Sequence, residues 1–145
     1  MRRTSNGRIR AEKITPATES FALSVFSDPE TRKNLIGPDL APGNFQRWLY
    51  GSAERFVLTL DSRPVGVATL MGAPPRCFFG YALAPEFRGR GLAGPCLQAI
   101  EDLAGEAGFL TVTTNVAEDN EASVRSLRKA GYRHFRWMEK GGTAG

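Results

Sequence analysis

The run PEFRGRGLAG, residues Pro85 to Gly94, sets three glycines and two arginines between a strand-like segment and an amphipathic helix. Glycine clears side chains from a tight turn and lets backbone N–H groups approach a ligand, and the helix start adds the positive end of a dipole. The stretch therefore reads as a phosphate cradle. From these ten residues alone, a plain turn with solvated charges reads equally well. Two common phosphate loops are excluded: no Gly-Lys pair is followed by Ser or Thr, and the spaced GxGxxG dinucleotide fingerprint is missing.

Upstream of the turn, RFVLTL, the turn DSRP and VGVATLM predict a hairpin over residues 55–71, and CFFGYALA after the GAPP break predicts a further strand. Downstream, LAGPCLQAIEDLAGEAG places Leu92, Cys96, Leu97, Ile100, Leu103 and Ala104 on one helical face, closed by Gly105 or Gly108. LTVTTNVA alternates as a strand, NEASVRSLRKAG is a short helix ending at Gly131, and YRHFRWMEK is one final strand. The tail GGTAG, residues 141–145, is expected to be disordered. Toward the N-terminus, RIRAEKIT is a first strand, and Thr15 with Pro16 reads as the cap and first residue of a helix carrying Phe21, Ala22, Val25 and Phe26. Asp28 and Pro29 repeat that signal, and Phe45, Trp48 and Leu49 give a further helical stripe after the loop GPDLAPG. The order predicts an α+β fold with a mixed sheet, because hairpins force antiparallel pairing and the late strand-helix-strand unit favours parallel pairing.

The 145 residues are 41% hydrophobic and 23% charged, which fits one soluble domain spanning 1–145. The net charge is +4, and several of the basic residues lie in MRRTSNGRIR and in RKAGYRHFR rather than in one long tract, so nucleic acid is not indicated. Two cysteines without paired spacing and a single histidine supply no zinc ligand set, and no metal is expected. The cysteine usage suits a reducing compartment, and no apolar run follows MRR or is long enough to span a bilayer. A cytoplasmic protein is expected.

The segment Leu83-Ala84-Pro85-Glu86-Phe87, then Arg88, two residues, Gly91, one residue and Ala93, resembles the GNAT acetyltransferase superfamily, whose signature is Q/R-x-x-G-x-G/A between its fourth strand and third helix. Asn120, Ser123, Leu127, Lys129, Gly131 and Tyr132 are similar in register to the branch of ribosomal-protein alanine N-acetyltransferases. Two linked motifs on independently assigned elements are more specific than either alone. The resemblance implies a mostly antiparallel twisted sheet flanked by helices and splayed between the fourth and fifth strands. It also implies acetyl-coenzyme A as cosubstrate and an amine acceptor, either a small molecule or a protein N-terminus. The pyrophosphate would be held by Arg88, Gly89, Arg90, Gly91, Leu92 and Ala93, and the rest of the coenzyme by Leu83, Asn120 and Ser123.

Backbone amides at a helix N-terminus suit the pyrophosphate, with Arg88 and Arg90 adding charge, and a small residue at Gly80 or Ala82 lets the pantetheine arm lie close. The Leu83 N–H is the expected oxyanion donor. Glu54, Asp61 and Glu86 are base candidates, each equally readable as solvated surface, and Phe78 stands where the branch often has a glutamate. Leu127 stands where many members have a proton-donating tyrosine. Ser123 is the better donor candidate, with helix capping as its plainer reading. Tyr81 reads as core or as an acceptor contact, Cys96 as core and His134 as exposed. Phe45, Trp48 and Tyr50 read as packing before acceptor wall. Because the family has two strands after its last helix and one is predicted here, either the sheet ends early with an exposed edge or a second subunit lends a strand, and a homodimer is expected. The departures at Phe78 and Leu127 keep open a non-catalytic coenzyme A sensor or interaction module.

Overall fold

The computed structural model describes residues 9–34, 54–115, 121–134 and 137–141. Four strands run antiparallel in sequence order: β1 (Ile9–Lys13), β2 (Glu54–Leu60), β3 (Arg63–Met71) and β4 (Arg76–Leu83). β5 (Thr111–Asn115) lies parallel to β4, and β6 (Arg133–His134) and β7 (Trp137–Gly141) complete a seven-stranded sheet of order β1-β2-β3-β4-β5-β7-β6. The helices are α1 (Glu19–Ser27), α2 (Pro29–Asn34), α3 (Ala93–Glu106) and α4 (Glu121–Lys129), with a 3₁₀ turn at Pro85–Phe87. The expected mixed, mostly antiparallel sheet is present. Its parallel pair arises where α3 carries the chain across one face between β4 and β5.

The apolar stripe of α3, with Cys96, Leu97, Ile100 and Ala104 buried, packs in one core with Phe56, Leu58, Leu70, Phe79 and Val112. On the other face Ala22, Val25 and Phe26 of α1 share a second core with Val57, Val67 and Ala84. Each large side chain removed from water contributes about 1.5–3 kcal/mol, which holds helices this short against the sheet. Helix ends follow the glycines. Gly108 and Gly131 take φ of 92° and 98°, and the next N–H groups, of Phe109 and Tyr132, reach back to the carbonyls of Ala104 and Leu127. This pattern satisfies carbonyls that a helix end leaves unpaired. Of the two candidate closures of α3, Gly108 is the one used.

The β2–β3 turn is shorter than DSRP suggests. Asp61 and Ser62 alone form it, both at positive φ (51° and 68°), the twist that suits a two-residue hairpin. Pro64 lies inside β3 opposite Thr59, beside a register shift at Leu58/Thr59, where its missing N–H is tolerated.

Three sequence expectations are corrected. The first helix begins at Glu19, not after Thr15, because the Thr18 N–H donates to the Thr15 carbonyl and the Thr15 N–H to Thr18 Oγ1, closing a separate turn. YRHFRWMEK is not one strand, since β6 and β7 pair antiparallel with His134 opposite Met138. No Gly, Pro, Asn or Asp marks that reversal in the sequence. Gly141, assigned to the tail, pairs with Thr111, while residues 142–145 lie outside the described residues. With two closing strands in the chain, the strand-lending argument for a homodimer falls. The helix expected around Phe45, Trp48 and Leu49, and Tyr50 with it, lies outside the described residues.

At Gly66 the β3 and β4 backbones lie close, for an added Cβ would collide with the Ala82 carbonyl oxygen. That neighbour is backbone and yields only if the strands separate. Gly66→Ala is expected to lower stability by about 1–3 kcal/mol in urea denaturation at pH 7.

Candidate functional site

β4 and β5 pair at three positions, Arg76 with Thr111, Cys77 with Val112 and Phe78 with Thr113. Beyond Phe78 they part. At the fork the buried Thr114 hydroxyl donates to the Phe79 carbonyl at 2.8 Å, so a side chain takes the place of a strand N–H. On the other side of β4, the Ala84 N–H donates to the Val65 carbonyl. Because successive strand amides alternate in direction, the N–H groups of Leu83 and Tyr81 face away from β3 and into the gap. The splay expected between the fourth and fifth strands is therefore present, with Leu83 at its mouth.

A cleft of about 390 Å³ follows this gap. Gly80, Tyr81, Ala82 and Leu83 line one wall, Thr114 the fork, and Ser123, Ser126 and Leu127 of α4 the opposite wall. Gly89, Gly91, Leu92 and Ala93 close one end together with Arg88, Glu30 and Thr31. Small residues at Gly80 and Ala82 keep that wall low.

Gly89 and Gly91 hold φ of 74° and 75°, and a Cβ added at either would meet no atom within 4 Å. The glycines are thus required by the backbone conformation rather than by crowding, and the space they face is open. Among the described residues no hydrogen bond takes the N–H groups of Gly89, Arg90, Gly91, Leu92 or Ala93. The Arg88 N–H is already given to the Pro85 carbonyl at 3.3 Å, so the free amides begin one residue later than the motif suggests. Pro95, in the first turn of α3, has no N–H to lose there. Acidic residues stand in the first turns of α1, α2 and α4 (Glu19, Glu30 and Glu121), but none in that of α3. The positive end of the α3 dipole is left for an external anion.

The two arginines differ from each other. Arg90 is exposed, with its guanidinium 5.6 Å from the Phe87 ring centre. Arg88 instead reaches back 60 residues, where Nη2 donates to Asp28 Oδ2 at 2.7 Å and to Thr31 Oγ1 at 3.2 Å. The Arg88 hydrogen bond holds the Asp28 carboxyl below its ordinary pKa despite an opposing push from burial. Asp28 was legible as a helix cap, and it does accept the Glu30 and Thr31 N–H groups. Its partnership with Arg88 was not, because nothing in a linear pattern joins positions so far apart.

Of the remaining candidates, Ser123 is half-buried on the α4 wall, and Asn120 lies outside the described residues. Glu86 is exposed on the 3₁₀ turn and is not among the residues lining the cleft. Glu54 is paired with Lys13 at 2.9 Å, and Asp61 sits in the distant hairpin turn. Among the described residues the carboxylate on the cleft wall is Glu30, which sequence reading passed over. Leu127 is 2% exposed and belongs to the core, and Tyr81 lines the cleft while packing against that core. Burial raises the Tyr81 phenol well above its ordinary pKa, so it stays neutral. Burial likewise pushes the thiols of Cys77 and Cys96 up to about 11 and about 12.

The model of the acetyltransferase (GNAT) domain family matches residues 8–133. No curated protein sequence matches the chain. Among solved structures, the aminoglycoside acetyltransferase AAC(6')-Ib in complex with coenzyme A is similar at a TM-score of 0.77 and 14% identity, over 92% of this chain and 94% of that one. The spermidine N-acetyltransferase from Vibrio cholerae in complex with CoA and spermine gives 0.76 and 15%, over 90% and 83%. The GNAT domain of S. lividans PAT gives 0.71 and 18%, over 92% and 89%. At these identities the likeness is one of fold. Among the described residues no helix is long and apolar enough to cross a membrane.

Two measurements check this geometry. Thr114→Val strands the Phe79 carbonyl without a donor and is expected to lower stability by about 1–3 kcal/mol in urea, with Thr114→Ser restoring most of it. For Asp28, a lowered folded pKa means that the ion pair's contribution is complete above the ordinary value of about 3.9 and is lost as pH falls through the folded value. Between pH 7 and pH 3 the wild type is expected to lose more stability than Arg88→Gln.

Proposed function

Since the chain belongs to the GNAT acetyltransferase family, we propose that its single domain, 1–145, transfers the acetyl group of acetyl-coenzyme A to a primary amine by direct attack, with no covalent enzyme intermediate. The observation that carries this reading is the row of amides from Gly89 to Ala93, without hydrogen-bond partners among the described residues, at the end of the β4–β5 gap. The residues fit the coenzyme: the amides and the α3 dipole suit its pyrophosphate, and the open edge of β4 at Tyr81 and Leu83 suits an extended chain of amides. Asn120 and Ser123 belong to the same proposed binding set.

Acetyl-coenzyme A supplies an acyl thioester whose carbonyl an amine attacks. The protein's part is then electrostatic and geometric. The Leu83 N–H, fixed in the ladder and facing the gap, donates to the oxygen on which negative charge grows. Ser123, on the opposite wall, hydrogen-bonds the departing sulfur or passes it a proton, which the attacking nitrogen replaces as the adduct collapses. An acceptor amine near pKa 10.4 must lose a proton before it attacks. With Phe78 in the place of a glutamate and Glu86 outside the cleft lining, that proton leaves by a water relay or a group on the substrate itself, and Glu30 is the carboxylate on the cleft wall among the described residues. The similar aminoglycoside and spermidine acetyltransferases support an amine acceptor, which here is a small molecule or a protein N-terminus.

Thermal melting with and without acetyl-coenzyme A tests the site, because a ligand at a hundred times its Kd adds about 2.7 kcal/mol of stability. Gly91→Glu, which places a strained side chain and a negative charge in the cradle, is expected to abolish the shift. Release of free coenzyme A thiol in the presence of an amine panel then tests turnover. Binding without thiol release would leave the chain a non-catalytic coenzyme A sensor.

A further inference from the structure

We propose that Asp28 is a positioning residue for the coenzyme: by holding the Arg88 guanidinium, it fixes the turn from Gly89 to Ala93 in the conformation whose main-chain amides face the cleft. This inference rests on the reading of that turn as the seat of a diphosphate.

Among the described residues, the hydrogen bonds that hold the turn lie at its two ends. Downstream, the Cys96 N–H donates to the Leu92 carbonyl at 3.0 Å and starts α3. Upstream, the half-buried Phe87 packs against both cores, and Arg88 follows it. The stretch between has two glycines at positive φ and five N–H groups without partners among the described residues. Glycine-rich backbone loses much conformational freedom when it is ordered, so a turn left loose pays that cost on binding, and one already fixed does not.

Asp28 is built to fix it. Its Oδ2 gathers the Glu30 N–H at 3.1 Å, the Thr31 N–H at 3.1 Å and Arg88 Nη2 at 2.7 Å. Thr31, 4% exposed, supports the same guanidinium through Oγ1 at 3.2 Å. The side chains of Arg88 and Asp28 are 34% and 16% exposed, so the pair is partly withdrawn from the screening that weakens surface ion pairs. Arg88, Thr31 and Glu30 also line the cleft, which makes the α1–α2 corner part of the wall that the coenzyme end of the site presents. Asp28 thereby neutralises the motif arginine and uses it as a strut. The charge that meets the anion comes from the amides and the α3 dipole.

The rival arrangement has Arg88 leaving Asp28 to grip a phosphate directly, and the two differ in sign. If Asp28 positions the turn, removing its charge weakens coenzyme binding. If it merely sequesters Arg88, removing its charge strengthens binding. Asp28→Asn is the suitable change because asparagine still caps a helix while the ion pair is lost.

The test is calorimetric titration of the full chain with coenzyme A, using wild type, Asp28→Asn, Arg88→Gln and the double variant. Each single variant is expected to weaken the Kd about tenfold, with the double variant little weaker than either, as for two residues acting as a unit. In steady-state kinetics the loss is expected in KM for acetyl-coenzyme A more than in kcat. An unchanged Kd with only a lower melting temperature would make Asp28 a helix cap and overturn the proposal, and tighter binding by Asp28→Asn would overturn it in favour of the rival. Should Asp28→Asn not fold, backbone ¹⁵N relaxation of ligand-free Arg88→Gln decides: lower order parameters than wild type across Gly89 to Ala93 support the strut, and equal ones refute it. A wild type that binds no coenzyme A overturns the reading of the site and this inference with it.

Discussion

The parting of β4 and β5 after Phe78 is the constraint on which the site depends. Neighbouring strands pair along their length unless something makes separation cheaper, since an unpaired backbone group away from water is costly. Here the Thr114 hydroxyl satisfies the Phe79 carbonyl that the lost ladder would have left bare. Beyond it the β4 amides at Tyr81 and Leu83 have no neighbouring strand. The sheet is thus kept whole where it supports the two cores and opened where a ligand's own amides can complete it.

The two faces of the sheet contribute differently. α3 seals the main core and turns its N-terminus, free of acidic residues in its first turn, toward the cleft. α1 sits over the second core, which Phe87 joins, and Asp28 and Thr31 at the α1–α2 corner meet Arg88. The turn therefore lies at the junction of both packing layers. Its geometry is set by elements far apart in sequence, while its chemistry lies in main-chain N–H groups that any residue could supply. What the sequence specifies there is mainly conformation: glycine where φ is positive, proline where an N–H is superfluous.

Much of this was legible because it is local. Period and turn residues placed β1 to β5, α3 and α4, the glycine closures and the cap at Asp28, and the loop motif located the cleft. The errors also have local causes. Thr15-Pro16 carries the same signal as a true cap but closes a turn with Thr18, and the β6–β7 reversal has no turn-forming residue to announce it. What could not be read was anything requiring two distant segments at once: the pairing of Arg88 with Asp28, Thr114 at the fork, Glu30 on the cleft wall. Side-chain partners of that kind are consequences of the assembled sheet.

The buried cysteines bear on the chemistry in one further way. The chain's two sulfhydryls, Cys77 and Cys96, are fully enclosed, and burial holds them in the protonated form. Exchange with a disulfide needs an accessible thiolate. An enzyme that liberates a mercaptan at every cycle, and meets its oxidised dimer, would otherwise risk capping itself by mixed-disulfide formation; with both sulfurs walled into the core, this protein offers such an adduct no point of attachment.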